Sequence, residues 1–160
     1  MKLILFKKQH YQILIDWVKD EETFFLFAAL SLSYPLNLEQ LDDYFLKNPE
    51  RKAYLGLDDD GIPTAFGEII PQDEQSSRLG HLIIGESQKR GKGQGQAFIK
   101  ALNQEAKTIS AIQKMDLFVH ERNDAAINCY LKSGFQFIPN DLIINYKGKV
   151  HNILKMTMDF

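Results

Sequence analysis

The spacing of apolar residues changes repeatedly along the chain, and each change marks an element. Residues 2–6 form a short β-prone run. From 11 to 18 the spacing is helical, with Ile13, Leu14, Trp17 and Val18 at i, i+1, i+4 and i+5 on one face. Residues 23–30 are apolar and aromatic, and a loop follows in which Pro35 biases Tyr34 away from helix. Asn37 is placed to cap a second helix whose buried side is Leu38, Leu41, Tyr44 and Phe45, ending before Pro49. From Lys52 the period becomes two. Residues 53–57 and 62–70 predict a β-hairpin whose turn carries Asp60-Gly61, and 71–77 predict a polar loop.

Residues 78–84 predict a strand covered on both faces, because Leu82, Ile83 and Ile84 are apolar in succession. After a glycine-rich loop come a helix over 94–109, a buried strand over 117–120, a helix over 124–133 and a strand over 135–138. The tail, 142–146 and 150–158, alternates around Lys147-Gly148-Lys149 and predicts a closing hairpin. No internal repeat or linker interrupts this order, so the expectation is one mixed α/β domain over 1–160.

Composition adds exclusions. At 160 residues, 44% hydrophobic and 25% charged, the chain has ordinary globular composition. Its longest apolar run, 24–30, is seven residues, far short of the roughly 20 that span a membrane. A formal charge of -2 supplies no global field for nucleic acid. The single cysteine, Cys129, excludes an internal disulfide and a Cys-based zinc site, and no His/Asp/Glu cluster suggests a metal. The N-terminus has no small-residue cleavage site, so a cytoplasmic protein is expected.

The most informative segment is Gln88-Lys89-Arg90-Gly91-Lys92-Gly93-Gln94-Gly95, between a buried strand and a helix. Three glycines let the backbone approach a ligand closely. Loop N–H groups and a following helix N-terminus make an anion site, and Lys89, Arg90 and Lys92 add local positive charge. The ligand that fits carries a phosphate or pyrophosphate; the plain alternative is an exposed flexible turn. The spacing excludes a P-loop, since Gly85 and Gly91 are one residue too far apart and Gly93 follows Lys92. It also excludes the G-x-G-x-x-G dinucleotide fingerprint, because these glycines read G-x-G-x-G.

What the loop does resemble is the Gln/Arg-x-x-Gly-x-Gly/Ala signature of the GCN5-related N-acetyltransferases, carried by Arg90-Gly91-Lys92-Gly93-Gln94-Gly95. A second block strengthens the resemblance. Asn123, Ala126, Tyr130 and Gly134-Phe135 match that family's Asn-x-x-Ala-x-x-x-Tyr-x-x-x-Gly-Phe, downstream and after a strand. The blocks and what lies between cover residues 78–138. The Trp17 helix, Pro35-Leu36 and the tail resemble, more loosely, the branch with ribosomal-protein N-terminal and polyamine acetyltransferases.

The resemblance implies a mixed, mostly antiparallel sheet of six to seven strands flanked by about four helices. It also implies acetyl-CoA as cosubstrate, no metal, and direct attack of a primary amine on the thioester. A non-catalytic acyl-CoA-binding or sensing module is the alternative. By the same resemblance, backbone N–H groups of Arg90, Gly91, Lys92, Gly93, Gln94, Gly95 and Gln96 cradle the pyrophosphate, and Lys89 or Lys92 meets other phosphates. A splayed strand offers Ile83, Ile84 and Gly85 to the pantetheine arm, with Gly85 standing where relatives often carry a branched residue. Asn123 holds the far end of that arm, or is simply a helix N-cap.

Tyr130 is the candidate general acid, since a phenol with a reference pKa of about 10 can protonate a departing thiolate; the plain reading is a half-buried helix tyrosine. The base stays open. A family branch carries a glutamate where this chain has Phe118, which leaves Glu68, His81, Glu86 or a water chain. His10, His120 and His151 are unremarkable by spacing, and Cys129 reads as a small buried hydrophobe. Phe24, Phe25 and Phe27 read as core, or in part as an apolar wall on the acceptor side. Asp58, Asp59 and Asp60 read as a solvated turn. The fold does not choose the acceptor, small-molecule amine or protein N-terminus; residues 20–36 and the tail hairpin are expected to. A homodimer through an exposed terminal strand is expected as well.

Overall fold

The structure is a computed structural model and describes residues 1–85, 91–109 and 111–160. The candidates Glu86, Lys89 and Arg90 lie outside the described residues. The elements follow the chain as β1 (Lys2–Leu5), α1 (Tyr11–Trp17), α2 (Glu21–Ala28), α3 (Leu38–Lys47), β2 (Lys52–Leu57), β3 (Pro63–Pro71) and β4 (Ser76–Ile84). Then come α4 (Gln94–Ile109), β5 (Lys114–His120), α5 (Asp124–Lys132), β6 (Gln136–Ile138), β7 (Ile143–Tyr146) and β8 (Lys149–Asp159).

The strands form one sheet in the order β1-β2-β3-β4-β5-β8-β6, with β7 also on β8. Every pairing is antiparallel except β4 with β5. The described residues hold eight strands and five α-helices, against the six to seven strands and about four helices expected. The added helix is α2. Its apolar stretch has no readable period because Phe25 and Leu26, which lie off the buried face of Phe24, Phe27 and Ala28, are apolar as well. What starts it is Asp20, whose carboxylate accepts from the Thr23 backbone N–H and hydroxyl, both at 2.8 Å. The sheet gains length where 71–77 was expected to be loop: Ser76 and Ser77 are buried members of β4.

Strand alternation gives the sheet two differently covered faces. One face packs α4 and α5 around Leu102, Met115, Leu117, Phe135 and Met156. The other packs α1, α2 and α3 around Leu14, Phe24, Leu41, Leu55 and Phe66. The tail hairpin forms as expected, and β8 inserts between β5 and β6.

Candidate active site

The parallel ladder between β4 and β5 runs from Ser76↔Lys114 to Leu79↔Leu117 and stops there. Each strand continues along its outer partner, β4 on β3 and β5 on β8, so the two part like the arms of a V. A cleft of about 400 Å³ fills the opening. Ile83 and Ile84 line it from β4, Gly91, Gly93, Gly95 and Gln96 from the start of α4, and Asn123 and Tyr130 from α5. Gly85, Lys92 and Gln94 lie in the same segments without lining the cleft.

The glycines serve different ends. Gly91 and Gly93 have φ of +78° and +80° with open space around them, so backbone conformation is what requires glycine there. Gly95 instead makes room, since a Cβ there would crowd Cys129 Sγ at 2.8 Å. At Gly85 a Cβ would overlap the Trp17 indole, which explains the absence of a branched residue. Gly85→Ala is expected to displace that ring and cost about 1–3 kcal/mol. Trp17 is the only tryptophan, so fluorescence and a denaturation curve report both effects.

Asn123 caps α5, accepting from Ala126 N at 3.3 Å, and also faces the cleft. Tyr130 is 8% exposed, and burial pushes its phenol well above the ordinary range. Among the described residues its hydroxyl has no hydrogen-bond partner. Cys129 is half-buried on the same cleft wall rather than enclosed in the core.

Glu68 and His81 do not line the cleft; they meet behind Phe27, which does. Glu68 is 1% exposed and its carboxylate is crowded with donors. It accepts from the Tyr44 hydroxyl at 2.8 Å, lies 3.0 Å from His81 Nδ1, and sits 3.6 Å from Arg51. Burial alone raises a carboxyl's pKa, but His81, Tyr44 and Arg51 outweigh it and hold Glu68 below the usual range. The Ser31 hydroxyl donates to Ala28 O at 2.6 Å and lies 2.8 Å from His81 Nε2. Both ring nitrogens of His81 are thus engaged, Nδ1 with Glu68 and Nε2 with Ser31. The site residue His81 has φ +48° at a bulge, where β4 gains a residue between Phe66↔Ile83 and Glu68↔Gly80.

The acetyltransferase (GNAT) family matches residues 11–135 of this chain. The chain belongs to that family. Its reaction is acetyl-CoA-dependent N-acetyl transfer to an amine. The fold is shared with spermidine N-acetyltransferase from Vibrio cholerae in complex with CoA and spermine, at 15% identity and TM-score 0.79 over 99% of this chain and 94% of that one. It is shared also with AAC(6')-Ib in complex with paromomycin and acetyl-CoA, at 15% identity and TM-score 0.75 over 99% and 92%.

Within this GNAT fold, α2 lies across the mouth of the V. Phe27 reaches His81 on the β4 arm, while Phe25 reaches His120, Tyr146 and His151 on the β5–β8 arm. His120 Nδ1 accepts from Arg122 N at 3.1 Å, so Nε2 carries the proton toward His151 Nδ1 at 2.8 Å. Burial and the neighbouring His151 push His120 below its ordinary pKa. These histidines were unremarkable in sequence because 31 residues separate partners that only β5–β8 pairing brings together. Among the described residues no group of His, Cys, Asp and Glu could hold a metal ion, and no helix is long and apolar enough to cross a membrane.

Proposed function

We propose that this enzyme acetylates a primary amine by direct attack at the V, with Tyr130 as the general acid. Acetyl-CoA, when bound, supplies the thioester: the amine nitrogen forms the new C–N bond as the C–S bond breaks. The observation that carries the reading is that the Tyr130 phenol lines the same cleft that opens at the N-terminus of α4. That 16-residue helix points its positive end at the cleft. Gly91 and Gly93 leave uncluttered backbone there for a pyrophosphate, with Lys92, Gln94, Gly95 and Gln96 continuing the cradle. Ile83, Ile84 and Gly85 accompany the pantetheine arm, and Asn123 meets its far end.

Tyr130 gives its proton to the leaving sulfur, and the attacking amine loses its own to water at the open side. Glu68 is a poor base in this reading, being saturated with donors, and both ring nitrogens of His81 are engaged, by Glu68 and by Ser31. The pair acts as positioning residues that fix the bulge and hence the β4 backbone facing the cleft. We further propose one domain over 1–160, a cytoplasmic location, and a homodimer through the β6–β7 side, where Phe137 and Ile143 are exposed.

The test is a thermal-shift titration with acetyl-CoA, using ATP and NAD as controls. Ligand at about 100 times Kd stabilises by roughly 2.7 kcal/mol, on the order of 5–10 °C here. Thiol release with an amine panel then separates a turning-over enzyme from a binding module. An equal shift with ATP, or none with acetyl-CoA, would sink the assignment.

A further inference from the structure

The sheet face opposite α4 and α5 carries a second polar construction where the V begins. Arg78 stands opposite Asp116, and Asp116 opposite Thr157; in the next row Phe118 stands opposite Lys155. Asp116 is 3% exposed and already neutralised. It accepts from the Thr157 hydroxyl at 2.7 Å and pairs with Lys155 at 3.0 Å, with Lys114 at 3.8 Å. Glu68, the other buried carboxylate nearby, is taken by His81, Tyr44 and Arg51.

Arg78 is left over. Among the described residues no carboxylate lies within ion-pair distance of it, and its Nε is excluded from solvent with no acceptor. Arg78 and Lys155 lie 5.4 and 5.8 Å from the centre of the Phe118 ring. Burial and the nearby Arg51 push the Arg78 guanidinium below its ordinary pKa. In a chain of net charge -2, this part of the sheet face carries an excess of positive charge: Arg51, Arg78, Lys114 and Lys155 against Asp116 and Glu68. A half-buried guanidinium with no carboxylate partner among the described residues favours an oxyanion, and its planar fork matches a carboxylate.

Resting on the acetyltransfer reading above, we propose that the acceptor is an amine that also bears a carboxylate. The carboxylate docks on Arg78 beside Lys155 and lies across Phe118, while the amine reaches into the V. Arg78 immediately precedes Leu79, the last β4 residue paired with β5, so the carboxylate is held where the V begins to open. This acceptor has the opposite charge character from a polyamine.

The experiment measures acetylation of ω-amino acids from aminobutanoate to amino-octanoate, each against the alkylamine and the diamine of equal length. The best amino acid is expected to exceed both matched amines about tenfold or more in kcat/KM. Arg78→Ala should raise its KM about 10- to 100-fold and leave the alkylamine's unchanged. Because Arg78→Ala also removes packing at a half-buried site, Phe118→Glu provides a second arm: a carboxylate beside Arg78 and Lys155 should turn the preference toward the diamine. A diamine preferred by the wild type, an unchanged KM in Arg78→Ala, or no turnover of any amino acid by protein that acetyl-CoA stabilises would each overturn the proposal. Absence of that stabilisation would overturn the acetyltransfer reading itself.

Discussion

Tyr130→Phe lowers kcat for amine acetylation by about 100- to 10,000-fold while leaving the acetyl-CoA-induced rise in melting temperature in place. The substitution removes one oxygen and keeps the ring, which sits edge-on to Phe135 at 6.2 Å. The hydroxyl has no partner among the described residues, so its loss leaves no buried group stranded and the fold changes little in stability. Burial pushes the phenol upward, which keeps it protonated across the working pH range. Wild-type kcat is therefore expected to show no alkaline loss from this group up to at least the ordinary phenol pKa of about 10. Stopped-turnover thiol release and thermal shift on the two proteins check both halves. Turnover near wild type in Tyr130→Phe would remove the general-acid role.

Glu68→Ala destabilises the protein by about 3–5 kcal/mol, because it strands charged and polar partners inside the fold. At this chain length that corresponds to roughly 6–20 °C in melting temperature. Arg51 loses its buried carboxylate, His81 loses the acceptor for Nδ1, and the Tyr44 hydroxyl loses the acceptor for its proton. Glu68→Gln keeps the shape and part of the hydrogen bonding, so it should lie between the two. The folded-state pKa of Glu68 is held below its ordinary value. A depressed carboxyl contributes stability that is fully present above its unfolded pKa, about 4.3, and is lost as pH falls through the folded value. Wild-type stability should therefore fall more steeply below about pH 4.3 than that of Glu68→Gln. Urea denaturation between neutral and acid pH measures the difference, and parallel curves would show that the pair is not ionic.

The effect on rate distinguishes the two residues. In the proposed reaction Tyr130 acts at the reacting atoms, so its loss is expected to fall on kcat at unchanged fold. Glu68 acts through His81 and the bulge, so its loss falls first on stability and spreads to KM for both substrates.

Much of the molecule was legible from local pattern. The hairpin 53–70, the helix Gln94–Ile109 and the closing tail were readable because period and turn chemistry are written in adjacent residues. The Gly91–Gly93 turn and the Asn123 cap were readable for the same reason, being set by single residues at fixed spacing. The helix Glu21–Ala28 was not, since Phe25 and Leu26 off its buried face are apolar too, and that erases the amphipathic period that reveals a surface helix.

Chemistry that depends on long-range pairing was left to the tertiary structure. Sequence named Glu68 and His81 as separate candidates; β3–β4 pairing joins them and turns both away from the cleft. His120 with His151, and Arg78 with Phe118 and Lys155, exist as groups only because strands far apart in the chain lie side by side. By itself the sequence determined the Gly91–Gly93 turn before the helix Gln94–Ile109 and the Asn123 cap, because backbone conformation there is a local property of glycine and a helix end. The clustering of charges on the opposite sheet face was decided by tertiary structure, because charge and hydrogen bonding between side chains depend on distances that only the assembled sheet sets.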